Sequence, residues 1–65
     1  MKMTYRIKRM IEAYAESTGF PLEEVREIFE EAFAGVSESV IRDIENVSEV
    51  YFNRFLDALI EEATA

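Results

Sequence analysis

Apolar side chains return along this chain at three- and four-residue intervals, the period that predicts amphipathic helix. Ile7, Met10, Ile11 and Tyr14 mark the buried face of a first helix over residues 4–17, with Met3 extending the stripe backwards and Thr4 as its cap. Ser17-Thr18-Gly19 stops it, because glycine accepts the left-handed conformation that ends helices. Pro21 suits the first turn of a second helix, where its missing N–H is not needed, and Glu23 and Glu24 complement the helix dipole there. Over residues 21–34, Leu22, Val25, Ile28, Phe29, Ala32 and Phe33 face inward, Glu23, Glu27, Glu30 and Glu31 line the opposite side, and Gly35 ends the helix.

Ser37 or Ser39 can cap a third helix, in which Val40, Ile41, Ile44 and Val47 form a buried arc of about 120°, the ordinary width for a surface helix. A polar stripe then continues without a phase break from Glu38 through Arg42, Glu45, Glu49 and Asn53 to Asp57, which predicts one helix over residues 37–62. Asn46-Val47-Ser48 is its weak point, since asparagine and serine compete for backbone hydrogen bonds. A break there, folding the last segment back into a four-helix monomer, is the competing solution. Beyond it the apolar arc widens: Val50, Tyr51, Phe52, Phe55, Leu56, Leu59 and Ile60 cover about 280° and leave only Asn53, Arg54, Asp57 and Glu61 as a polar stripe. A helix apolar nearly all round must be buried on more than one side.

The fold class read from this pattern is all-α: one domain over residues 1–65, a short helical hairpin plus a long C-terminal helix. At 1.5 Å per residue the first two helices measure about 21 Å and the third about 39 Å, an overhang of about 18 Å. The overhang coincides with the wide apolar arc. Tyr51, Phe52, Phe55, Leu56, Leu59 and Ile60 are therefore the candidate contact surface, in an antiparallel homodimer or with another protein's helix. On that reading Phe55→Asp dissociates the dimer and leaves the short helices intact.

Sixty-five residues allow one small core of marginal stability. Cysteine and histidine are both absent, so disulfides and the usual zinc, haem and histidine-based catalytic sites are excluded. Carboxylate pairs such as Glu23 with Glu27, or Glu45 with Glu49, fall on the expected solvent stripe, where nothing shifts one acid against the other. Ser17, Ser37, Ser39 and Ser48 sit where caps and turns are needed and have no histidine to activate them. No catalytic residue, metal, cofactor or small-molecule substrate is expected, and the reading is not an enzyme. The three tyrosines are expected to pack with their hydroxyls at the rim of the core. The start of the chain alternates charged and apolar residues, so no secretory signal is read there, nor does any apolar run reach membrane-spanning length. A cytoplasmic protein is the expectation.

The net charge is −7, unevenly spread: Lys2, Arg6, Lys8 and Arg9 lie at the start, and beyond Arg9 fourteen acids face only Arg26, Arg42 and Arg54. Such a body repels phosphate backbones, which disfavours direct nucleic-acid binding. Met1 to Lys8 also alternates with period two, as a strand would. A strand followed by two helices resembles the ribbon-helix-helix DNA-binding family over about the first 34 residues, which implies base contacts from Lys2, Thr4 and Arg6. The favoured reading is a helix whose basic residues pair with Glu30, Glu31 and Glu38. Gly19-Phe20-Pro21 is similar to the loop with which ubiquitin-associated domains touch ubiquitin, a match confined to that turn. A different class of function is a nucleic-acid mimic. The acidic helical composition resembles that of small phage-encoded inhibitors, with Glu23, Glu27, Glu30, Glu31, Glu38, Glu45 and Glu49 standing in for phosphates against a basic protein surface.

Overall fold

The computed structural model describes residues 3–65 and holds four helices: α1 (Tyr5–Thr18), α2 (Leu22–Ala32), α3 (Glu38–Glu45) and α4 (Glu49–Thr64). Among the described residues there is no strand. The Thr4 hydroxyl caps α1 by accepting from the Ile7 N–H at 3.2 Å. Gly19 ends that helix in the left-handed region, at φ 81°, and its N–H donates to the Ala15 carbonyl. Pro21, at φ −60°, leads into α2, and Gly35 turns the chain after it at the same positive φ as Gly19. The first helix thus stops at Gly19 as the spacing predicts, whereas α2 stops at Ala32, two residues short of the expected end, with Phe33 as its C-cap and Gly35 in the turn beyond.

The single long third helix does not form. The chain breaks at Asn46-Val47-Ser48, and Ser48 starts α4 afresh by accepting from the Tyr51 N–H at 3.2 Å. The three-helix unit becomes four helices, and the projecting overhang disappears into a body of 29 × 21 × 18 Å. Magnitudes explain the outcome. Folding back buries Phe52, Leu56 and Ile60, worth roughly 1.5–3 kcal/mol each, whereas interrupting the helix costs a few weak hydrogen bonds of about 1 kcal/mol each. The caps recover part of that cost.

The core gathers Ile7, Ile11, Tyr14 and Ala15 from α1, Val25 and Phe29 from α2, Phe33 after it, Ile41 from α3, and Phe52, Leu56 and Ile60 from α4. Phe29 is its hub, 4.6 Å from Phe33 and 5.9 Å from Phe52 between ring centroids. Helix α4 packs on α2 and α1, and α3 is held chiefly against α1. With one buried residue, α3 is the most thinly anchored helix. Expected core positions Leu22, Val40 and Val47 stay more than a third exposed, and Ala32 is exposed as well.

Candidate interaction surface

Of the large apolar side chains left exposed, Tyr5, Phe20 and Leu22 lie on α1, α2 and the turn between them, and the other five on α3, α4 and the turn that joins them. Tyr51 and Phe55 lie one turn apart on α4, and Val47 and Val50 flank Ser48 where that helix begins. Val40 lies on α3. Tyr51 is 73% exposed and Val50 65%, while Phe55 is 38% exposed and tilts against Phe33 at 5.5 Å. The expected contact residues therefore divide. Tyr51 and Phe55 reach solvent and Leu59 is half-buried, but Phe52, Leu56 and Ile60 lie inside the chain's own core. The broken helix is the cause: residues expected on an overhang for a partner are covered intramolecularly by α1 and α2.

Two grooves lie between α1 and the α3 side of the molecule. One, of about 520 Å³, is lined by Met3, Thr4, Tyr5, Val36, Glu38, Ile41, Arg42 and Glu45, between the start of α1 and α3. The other, of about 310 Å³, is lined by Arg6, Arg9, Met10 and Ala13 on α1 and by Glu45, Val47 and Glu49 at the α3–α4 turn. Charges of both signs stand across it, without a contact close enough to count as an ion pair. Among the described residues the one ion pair is Arg26 with Glu23 at 3.8 Å, within α2 and exposed. The expected pairing of the early basic residues with Glu30, Glu31 and Glu38 is thus not made by Arg6, Lys8 or Arg9; Arg9 instead donates to the Tyr5 hydroxyl at 3.4 Å. The helix that was expected over these residues does form from Tyr5 onward, so the strand of the ribbon-helix-helix resemblance is overturned there, with Thr4 committed to its cap and Arg6 inside α1. Lys2 lies outside the described residues.

The acidic candidates do not share one face. Glu23, Glu27 and Glu30 line a shallow groove on α2, and Glu24, Glu27 and Glu31 line another toward the end of α4. Glu38, Glu45 and Glu49 stand apart from these, in grooves that also hold arginines. Glu45 is half-buried, which the periodicity of the polar stripe does not signal.

Sequence reasoning missed one polar contact altogether. The buried Tyr14 hydroxyl donates to the Asp57 carboxylate at 2.6 Å, tying α1 to α4 across 43 residues of sequence. Burial, then the hydrogen bond and negative charge of Asp57, push the Tyr14 phenol up to about 12. Nearby, the Asn53 side-chain oxygen is buried without a hydrogen-bond partner. No spacing signal relates position 14 to position 57, because their meeting depends on how α4 folds back. Among the described residues, no group of three His, Cys, Asp or Glu side chains gathers as a metal ion would require, and no helix is long and apolar enough to cross a membrane. No family model matches the chain, and comparison with curated proteins and with solved structures gave no match.

Proposed function

We propose that this chain is a small acidic, non-catalytic protein-interaction module that acts through its C-terminal helix and the turn before it. The observation that carries the reading is the exposed apolar group Val47, Val50, Tyr51 and Phe55 at the start of α4, most of all Tyr51 and Val50. Single exposed apolar residues are ordinary, but Tyr51 and Phe55 lie one turn apart on α4, and Val47 and Val50 add apolar surface at its start that a partner can cover with gain. Of the six contact residues read from the sequence, Tyr51 and Phe55 stay in this group, and Val47 and Val50 are added to them by their exposure.

A second reading rests on a separate observation: α2 carries five exposed glutamates with Arg26 as its only cation. A basic protein surface would meet the carboxylates of Glu23, Glu24, Glu27, Glu30 and Glu31, as a nucleic-acid mimic requires. Glu38, Glu45 and Glu49 drop out of that surface, because they stand near arginines elsewhere.

A photoreactive phenylalanine analogue placed separately at positions 51 and 27 tests both. The expected result is a discrete adduct from position 51, formed equally at low and high salt and suppressed by Val47→Asp. An adduct formed only from position 27, and only at low salt, would transfer the function to the acidic face. Absence of any discrete adduct from either position overturns the interaction reading.

A further inference from the structure

We infer that two copies of this chain exchange α4, residues 46–48 straightening so that α3 and α4 fuse into one long helix. The inference rests on the interaction-module reading and names the partner, a second copy. It begins at the hinge. The turns after α1 and α2 contain Gly19 and Gly35, both at φ 81°, a conformation far from helix. The turn after α3 has no such lock. Asn46 already sits in the right-handed region at φ −99°, ψ −1°, and Ser48 at φ −67°, ψ 154° has a helical φ, so its ψ is what must rotate. Besides the docking of α4 in the core, the bend is held by local bonds: Asn46 N–H to Asp43, Val47 N–H to Ile44, the Asn46 side chain to the Arg42 carbonyl at 2.9 Å, and the Ser48 cap.

Straightening loses no packing class. The docking of Phe52, Leu56 and Ile60 against α1 and α2 is remade in the other copy, as in any exchange of identical elements. It also gains something the monomer lacks. On a straight helix Val40, Ile44, Val47, Tyr51 and Phe55 fall within an arc of about 80°, separate from the side that docks on α1 and α2. Their three- and four-residue steps are those of a coiled-coil seam. In the bent chain the same seam is interrupted, and four of its five residues are more than a third exposed. Two long helices crossing antiparallel near residue 49 set Val47 against Tyr51 of the partner subunit. Asp43 and Arg54 lie on the same flank of the seam, where antiparallel helices bring like flanks together, so the crossing sets Asp43 beside Arg54 of the partner subunit. Charge favours this side too. Copies of net charge −7 repel, and Glu24, Glu27 and Glu31 of α2 lie beside Ala63 and Thr64, at the far end of α4 from residue 49.

The test is sedimentation equilibrium of the full chain from low to high micromolar concentration, with helix content followed by circular dichroism. Glu49→Pro suits the bent form: proline fits the first helical position, and Ser48 before it already has the extended ψ that proline demands. In a continuous helix the same proline removes an interior hydrogen bond and clashes one turn back. Asn46→Ala with Ser48→Ala acts the other way, removing the bonds that hold the bend. The expected results are a dimer in the unmodified chain, a monomer of unchanged helix content in Glu49→Pro, and dimerisation tightened about tenfold in the double alanine variant. A dimer as strong in Glu49→Pro as in the unmodified chain overturns the exchange while leaving association by faces. Should Glu49→Pro fail to fold, the double alanine variant decides alone. Monomers throughout, in that variant and in the unmodified chain, overturn the second copy as partner and leave the surface to another protein.

Discussion

Tyr14 shows how much one residue can depend on a partner its neighbourhood does not contain. Its ring is core, as its place in the α1 stripe requires, but its hydroxyl is satisfied by Asp57 on α4. A phenol pushed up to about 12 from the usual 10 favours its protonated form in the folded chain. The stability this adds is fully present below pH 10 and is lost as pH rises from 10 through 12, because the unfolded chain releases its proton first. Tyr14→Phe should cost about 1 kcal/mol at neutral pH, since Asp57 is exposed and rehydrates, and should reduce the alkaline loss. Urea unfolding of both proteins at pH 8 and pH 11 measures the two effects. The core position of Tyr14 was legible from spacing; the partner was not, since an aspartate on a polar stripe reads as solvated until the fold sets an α1 residue beside it.

At the scale of elements, α4 carries more of the fold than its sequence suggests. Leu56 is fully buried against the hub around Phe29, so Leu56→Ala should destabilise by about 2–5 kcal/mol in chemical denaturation. Were Leu56 a partner-facing residue on an overhang, the monomer's stability would not respond. On α2 the balance is electrostatic. Glu27 has Glu23 one turn before it, Glu31 one turn after it, and Glu24 and Glu30 three residues away on either side. Each like-charged pair costs about 0.2–0.5 kcal/mol. Glu27→Gln removes these four terms and should raise stability by about 1 kcal/mol, readable as a higher denaturant midpoint at low salt and a smaller gain at high salt. Helix α1 and the glycine that stops it were legible to within a residue, and α2 to within two, its end falling at Phe33 before Gly35 is reached. The third was not, because a phase-continuous stripe says which side of a helix faces water and nothing about whether the helix runs straight.

For the whole molecule, charge and size set the margin. A chain of net charge −7 with one exposed ion pair among its described residues repels itself in the folded state more than in the expanded one. Added salt should therefore raise the thermal midpoint, by a few degrees for each kcal/mol of repulsion screened in a domain this small. A midpoint that falls or stays level between low and high salt would contradict that account. The candidate surface was legible only in part. Tyr51 and Phe55 stood out as too apolar for a solvated face, and both remain accessible, but Phe52, Leu56 and Ile60 were assigned to a partner when the chain itself covers them.

Near neighbours along the chain fix the helical period, the cap at Thr4, the stop at Gly19 and the absence of histidine and cysteine chemistry. Each follows from the reach of a side chain or a backbone torsion over a few residues. The tertiary structure alone decided that the chain bends at residues 46–48, that Tyr14 meets Asp57, and that half of the expected contact surface becomes core. Those outcomes turn on a competition between a weak local preference to continue a helix and several kcal/mol of apolar burial between segments far apart in sequence. Periodicity reports the first of these and is blind to the second.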